Sequence, residues 1–244
     1  MYRYRVTPAY EISRPLTLPR IVAGLSLGEA QRPSTVAILG VTGSIQEPVF
    51  QCASIHRFKT DTPIRTIALA LAEELNPMRL CEALPIFRHP VFQGKTPSLA
   101  IDATLIGEHV FSEFQRLKAS RILRINDFVA LQITNGDRLI GPEYRQDAEW
   151  FRIPKSDLAS VMRVAFEARR FRVLSSVGWR TGAKFEKEIR NFRGRTTFGE
   201  ASLIDARERP NDDMLLAAAS AAWLGSRPPD PPVACSFGYY EFGR

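Results

Sequence analysis

Cysteine and histidine are scarce in this chain, and their placement excludes two classes of protein. Cys52, Cys81 and Cys235 are too few and too far apart for a disulfide framework or a zinc-binding pattern, and His56, His89 and His109 are equally scattered. The chain therefore reads as a reduced, cytosolic protein without a structural metal. Long apolar runs are also missing: none approaches the ~20 residues that span a bilayer, so no membrane partner is expected. Met1-Tyr2-Arg3-Tyr4-Arg5 carries charge with no apolar segment after it, which argues against a secretory signal. A phosphate-binding loop is absent as well, because the nearest lookalike, Gly94-Lys95-Thr96, has His89 where the first glycine of that motif belongs. No internal repeat is visible.

What is present is ordinary in bulk and uneven in charge. The 244 residues are 45% hydrophobic and 24% charged, enough for one large domain with a proper core or two small ones. The formal net charge of +7 is concentrated. Between Arg163 and Arg195 stand ten basic residues, Arg163, Arg169, Arg170, Arg172, Arg180, Lys184, Lys187, Arg190, Arg193 and Arg195, against three acids, Glu167, Glu186 and Glu188. That window alone nets +7 and leaves the rest balanced. A basic stretch of this kind suits a polyanion, since each neutralised phosphate releases condensed counterions. Solvated helices with Arg-rich outer faces are the structural alternative.

Three Val- and Ile-rich runs, Arg20–Leu27, Thr35–Val41 and Val49–Phe58, follow a Pro-punctuated leader over residues 1–19. Their short connections predict an antiparallel meander. A helix is expected from Pro63 to Leu75, then a loop carrying Pro77, Pro85, Pro90 and Pro97, then a strand ending at Asp102. Further on the pattern gives a helix over Gly107–Leu117, a strand-like region over Arg121–Ile133 and a polar loop from Thr134 to Glu149. Helices over Lys155–Arg170 and Thr181–Phe192 flank a strand at Phe171–Leu174; a strand near Thr196–Ile204 and a helix from Asn211 to Trp223 follow. The domain so outlined covers residues 20–226. The remainder, 227–244, is a Pro-rich stretch expected to extend as polyproline II, with an aromatic end. Three antiparallel strands followed by alternating helices and strands predict an α/β fold of ribonuclease H-like type, with a mixed central sheet and helices on both faces.

Two acidic positions sit where such a fold builds chemistry. Asp102 ends an apolar strand, and Asp212-Asp213 opens an apolar helix. Each has a structural explanation. Asp102 can cap the turn begun by Ala103-Thr104, and acids in a first helical turn interact favourably with the macrodipole, behind Asn211 as N-cap. Trp150, Trp179 and Trp223 read as core or interface anchors.

From Val22 to Arg227 the chain resembles the nuclease domain of phage terminase large subunits. The resemblance is carried by Gly24-Leu25-Ser26-Leu27-Gly28, Leu99 to Gly107, Phe151 to Leu158, Glu188-Ile189-Arg190-Asn191-Phe192 and Asn211 to Ala217. It implies a DNA endonuclease with two Mg2+ or Mn2+ ions, held by carboxylates of the first strand, the fourth strand and the last helix. Asp102 maps to the strand ligand and Asp213 to the helix ligand, with Asp212 auxiliary. It further implies that Arg152 and Lys155 lie near the DNA path, with ordinary solvent exposure at a helix start as the structural alternative, and that a separate terminase ATPase or other packaging protein in a bacterial host or phage-infected cell is a partner. Lys184, Lys187, Arg190 and Arg193 are candidate nucleic-acid contacts on the charge of the basic stretch. Two departures stand out. The chain has no room for an ATPase domain, and Ser26 occupies the place where the family has an aspartate. Glu29, just past Gly28, could supply the missing carboxylate only if the backbone turns there. Two readings follow: a terminase-type metal-dependent nuclease, attenuated at Ser26, or a degenerate ribonuclease H-like module that binds nucleic acid or a protein without cutting. A third is an interaction protein that assembles through its aromatic tail.

Overall fold

The computed structural model describes residues 19–28, 32–104, 108–134, 138–145, 148–197 and 213–228, with the side chains of 108–109 and 192–197 not included. Eight strands form one sheet: β1 (Arg20–Ser26), β2 (Thr35–Gly43), β3 (Pro48–Arg57), β4 (Ser98–Asp102), β5 (Phe128–Thr134), β6 (Ile140–Arg145), β7 (Ala148–Pro154) and β8 (Phe171–Val173). Their order is β6-β7-β5-β4-β1-β2-β3-β8. The first three strands make an antiparallel meander, and β1, β4, β5 and β7 run parallel to one another. This is the mixed ribonuclease H-like sheet expected from the sequence.

The helices are α1 (Ile64–Glu74), α2 (Pro77–Ala83), α3 (Glu108–Ala119), α4 (Lys155–Glu167), α5 (Trp179–Thr197) and α6 (Asp213–Ser226). One face of the sheet packs against α1, α2 and α3, through Ile67, Leu71, Leu80 and Phe114. The other packs against α4, α5 and α6, through Leu158, Met162, Phe185 and Leu215. β1 has both faces covered, which is why it reads as a continuous apolar run instead of an alternating one.

Helix α6 is the keystone of the second face. Its sequence, Asp213-Met-Leu-Leu-Ala-Ala-Ala-Ser-Ala-Ala-Trp-Leu-Gly-Ser226, is buried almost all round, as a helix without a polar face must be. Small residues on both sides let backbones approach. Gly24 lies in register between Ala37 and Ala100, and a Cβ at Gly24 would fall 2.7 Å from the Ala221 nitrogen and closer still to the Ala217 carbonyl oxygen. Gly225 in turn sits over Val22 and Val41. α6 thus descends from the Ser26 end of β1 toward Val22, leaving its N-terminus at the carboxyl edge of the parallel strands.

Several sequence expectations need correction. The proline-rich segment after α1 is not plain loop. Pro77 opens α2 at the first helical position, where a missing N–H costs nothing, and Asn76 caps it by accepting from the Met78 N–H at 3.0 Å. Pro85 and Pro90 open short 3-10 turns in the same way. The stretch expected to be a polar loop, Thr134–Glu149, contains β6 and the start of β7. β6 is an edge strand exposed along its length, so it leaves no alternating pattern to read. β5 starts at Phe128 and not near Arg121. Thr196 and Thr197 close α5 instead of opening a strand, and 198–204 lie outside the described residues. Trp179 is no core anchor: it begins α5 and is 79% exposed.

Candidate functional site

Four strands end together at the carboxyl edge. Asp102 pairs in register with Ser26, Ser26 with Thr35, and Thr35 with Arg57. Directly opposed residues point to the same side of a sheet, so the row Asp102, Ser26, Thr35, Arg57 lies on the α6 face. The parity of β3 alone would not place Arg57 there. Counting by twos from Phe50 and Cys52, which face α6, reaches Ser54 and His56. A bulge between Ile38 and Leu39 leaves one extra residue on β3 and inverts the alternation beyond it. Ile55 and Arg57 therefore join the α6 face, while His56 turns to the opposite side and pairs with Glu74 of α1.

The α6 N-terminus carries Asp213 to the Arg57 end of this row and meets Glu188 of α5. Asp213, 8% exposed, receives a hydrogen bond from Arg57 Nη2 to its Oδ2 at 3.3 Å. Glu188 of α5, 4% exposed, accepts from the Leu215 N–H at 3.0 Å. That contact satisfies one of the N–H groups every helix leaves unpaired at its start, and the negative charge suits the positive end of the macrodipole. Asp102, also buried, accepts from the Thr104 backbone N–H at 3.1 Å and from the Thr104 hydroxyl, which fixes the turn after β4. The Thr104 hydroxyl oxygen in turn accepts from the Ile133 N–H at 2.8 Å, tying that turn to β5. The turn-capping explanation of Asp102 is thus realised.

Asp102 and Asp213, both expected at the site, are each buried on the α6 side at this edge of the sheet, with Ser26 beside Asp102 in register and Asp213 against Arg57. Asp212 and Glu29 lie outside the described residues. Arg57 and Thr35, in the same row, and Glu188, at the start of α6, were not anticipated as site residues. Arg152 is placed differently. Its register partner is Gln132, one step out of phase with Leu131 and Phe151, so it points from the face opposite the carboxylates into solvent. Lys155 is half-buried at the start of α4, on the same edge of the sheet as Asp102. Lys184 and Lys187 are exposed on α5, whose Phe185, Glu188 and Ile189 face inward. Arg190 is exposed but paired with Glu186 at 2.6 Å, and the Arg193 side chain lies outside the described set. Two clefts, of about 570 Å³ beside Glu74 and Leu84 and about 280 Å³ beside Phe50 and Val164, lie away from this edge.

The fit of two hard dications can be tested on these residues. Among the described residues, no three His, Cys, Asp or Glu side chains gather so as to hold a metal ion. Ser26 offers a neutral hydroxyl in the middle of the row, and Arg57 already brings positive charge to Asp213. Bridging two ions needs anionic oxygens converging from several directions. The described donor set does not fit a two-ion centre.

No protein-family model matches the chain, and no relative is found among curated proteins. Solved structures do resemble it. The human cytomegalovirus terminase nuclease domain superposes with a TM-score of 0.54 at 10% identity, covering 88% of this chain and 87% of that one. Its manganese-soaked form gives 0.52 at 12% identity, covering 90% and 87%. The manganese-soaked, inhibitor-bound form gives 0.51 at 13%, covering 83% and 82%. At these identities the likeness is one of fold.

Proposed function

We propose that this chain is a nucleic-acid-binding module of terminase-nuclease fold whose hydrolytic site is attenuated. The observation that supports this best is the register pair Ser26–Asp102 at the carboxyl edge of the sheet, the edge where open α/β sheets bind ligands. The resemblance implies a carboxylate at Ser26. A hydroxyl there leaves a cation less compensated, and each ~1.4 kcal/mol lost from a transition state is tenfold in rate. Binding does not need that carboxylate. The exposed Lys184 and Lys187 on α5, with Lys155 at the edge, offer phosphate contacts beside the site. DNA is the polymer proposed, with a separate ATPase or packaging protein as partner and the cytoplasm of a bacterial host or infected cell as the setting.

A second reading, a working Mg2+- or Mn2+-dependent endonuclease using Asp102, Asp213, Asp212 and Glu29, draws on one observation. Asp102 and Asp213 are both buried at one edge of the fold.

Two assays on the native chain, Lys184→Glu/Lys187→Glu and Ser26→Asp separate the readings. Duplex DNA binding by fluorescence anisotropy should weaken as salt rises, with a log–log slope of about −0.9 per phosphate contacted, and about tenfold further in the lysine double variant. Cleavage of plasmid with Mn2+ should be slow or absent in the native chain and increase in Ser26→Asp. Salt-independent binding, or none at low salt, sinks the binding proposal. Fast native cleavage lost in Asp102→Asn establishes the second reading.

A further inference from the structure

Each buried acid at the carboxyl edge has its own protein donor. Asp102 has the Thr104 N–H and hydroxyl, Glu188 has the Leu215 N–H, and Asp213 has the Arg57 guanidinium. Of these donors only Arg57 carries charge. Its side chain is 28% exposed and that of Asp213 11%, so the pair is shielded from water and far less screened than a surface pair.

The posture of Arg57 is unusual. Its Nε is buried with no hydrogen-bond partner among the described residues, and so is the hydroxyl of its cross-strand neighbour Thr35. An arginine at a strand end would ordinarily extend into water, where all five of its N–H groups are hydrated. Here the guanidinium is drawn over the sheet edge toward Asp213 although one of its donors goes unanswered. The attraction of the carboxylate outweighs that loss.

We infer that Arg57 is a resident counter-cation: its guanidinium supplies the positive charge beside Asp213 that a divalent ion would otherwise supply, so the α6 carboxylate is committed to the protein and not to a metal. A dication approaching Asp213 would meet positive charge already seated against Oδ2, and would have to share the carboxylate with Arg57 or displace it. Ser26 and Arg57 then act in the same direction. One removes an anion from the row and the other adds a cation to it. The β3 bulge makes this possible, because without it the imidazole of His56, and not the guanidinium of Arg57, would face Asp213. The inference does not depend on nucleic-acid binding, and it is tested without DNA.

The test is Mn2+ uptake, read from the free-ion EPR signal and from the shift in melting temperature with added Mn2+. It is run on the native chain and on Ser26→Asp, Arg57→Gln, Arg57→Lys and the Ser26→Asp/Arg57→Gln double variant. Mn2+ affinity should rise at least tenfold from Ser26→Asp to the double variant. Arg57→Lys, which keeps the charge, should stay within a few-fold of native. Equal affinity in Ser26→Asp and the double variant overturns the inference, as does Arg57→Lys binding Mn2+ as tightly as Arg57→Gln. If Arg57→Gln does not fold, Asp213→Asn/Arg57→Gln removes both charges together. Counter-ion pairing requires that pair to recover stability lost in Asp213→Asn alone, and failure to recover it also counts against Arg57.

Discussion

Gly24→Ala tests the packing on which the whole edge depends. The added Cβ would lie 2.7 Å from the Ala221 nitrogen and nearer still to the Ala217 carbonyl oxygen. Both obstacles are helix backbone, so no side-chain rotation relieves them. Restoring ordinary contact of 3.4 Å to Ala221 alone lifts α6 by about 0.7 Å, and Ala217 demands more. A gap of 0.5–1 Å forfeits roughly a quarter to a half of each dispersion contact it opens. That loss would be spread over Met214, Leu215, Ala218, Ala222 and Leu224, all nearly or fully buried. Ordinary overpacking costs about 1–3 kcal/mol, and this site should exceed it, at about 3–5 kcal/mol. For a domain whose total stability is about 5–15 kcal/mol, that is a large fraction. Urea unfolding followed by tryptophan fluorescence measures it. Gly182→Ala is the control: a Cβ there meets nothing within 4 Å in a helix, so it should stabilise by about 0.5–1 kcal/mol. A Gly24→Ala midpoint within 1 kcal/mol of native would refute the close-packed account of α6.

Two further outcomes follow from buried polar groups. Glu188→Ala should cost about 2–3 kcal/mol in urea unfolding, since it orphans the Leu215 N–H in a buried setting, whereas Glu188→Gln keeps an acceptor and should cost about half as much; a loss under 0.5 kcal/mol for the alanine variant would mean the cap is unimportant. Burial pushes the Cys52 thiol from 9.0 to about 12. The fold therefore favours the neutral thiol. Its contribution is constant below pH 9 and falls by about 1.4 kcal/mol per pH unit between 9 and 12, as the unfolded chain ionises first. Cys52→Ser should flatten that alkaline slope, and an unchanged slope between pH 9 and 11 would contradict the assignment.

The sequence disclosed those elements whose environment is uniform. β1 and β2 are covered on both faces, so apolar residues run through them almost without interruption and their limits can be read within a residue or two; β3, polar at Gln51, Ser54 and His56, is bounded as closely. Asp102 and Asp213 were legible because each stands at the boundary of an apolar run. β6 was not, since an exposed edge strand carries no contrast between faces. Arg57 was hidden for a different reason. Its side is set by a bulge on a neighbouring strand pair, and its partner Asp213 lies 156 positions away. Counted with the other cations, Arg57 looks like surface charge. Glu188 was swallowed by the basic character of α5, although its spacing from Phe185 and Ile189 places it on the inward face of that helix.

The fit of α6 into the Ala37–Gly24–Ala100 trough also fixes an order of events in time. Gly24 and the helix that covers it are separated by about 190 residues, among the longest-range contacts in the chain, and contacts of that range close late because the intervening chain must first be confined. During synthesis the sheet face carrying Val22, Leu39 and Ala100 would wait for α6 to emerge, exposed as an apolar patch. A ribosome-stalled chain ending before Asp213 should accordingly bind hydrophobic dyes and chaperones, and lose that binding once Ser226 has cleared the exit tunnel.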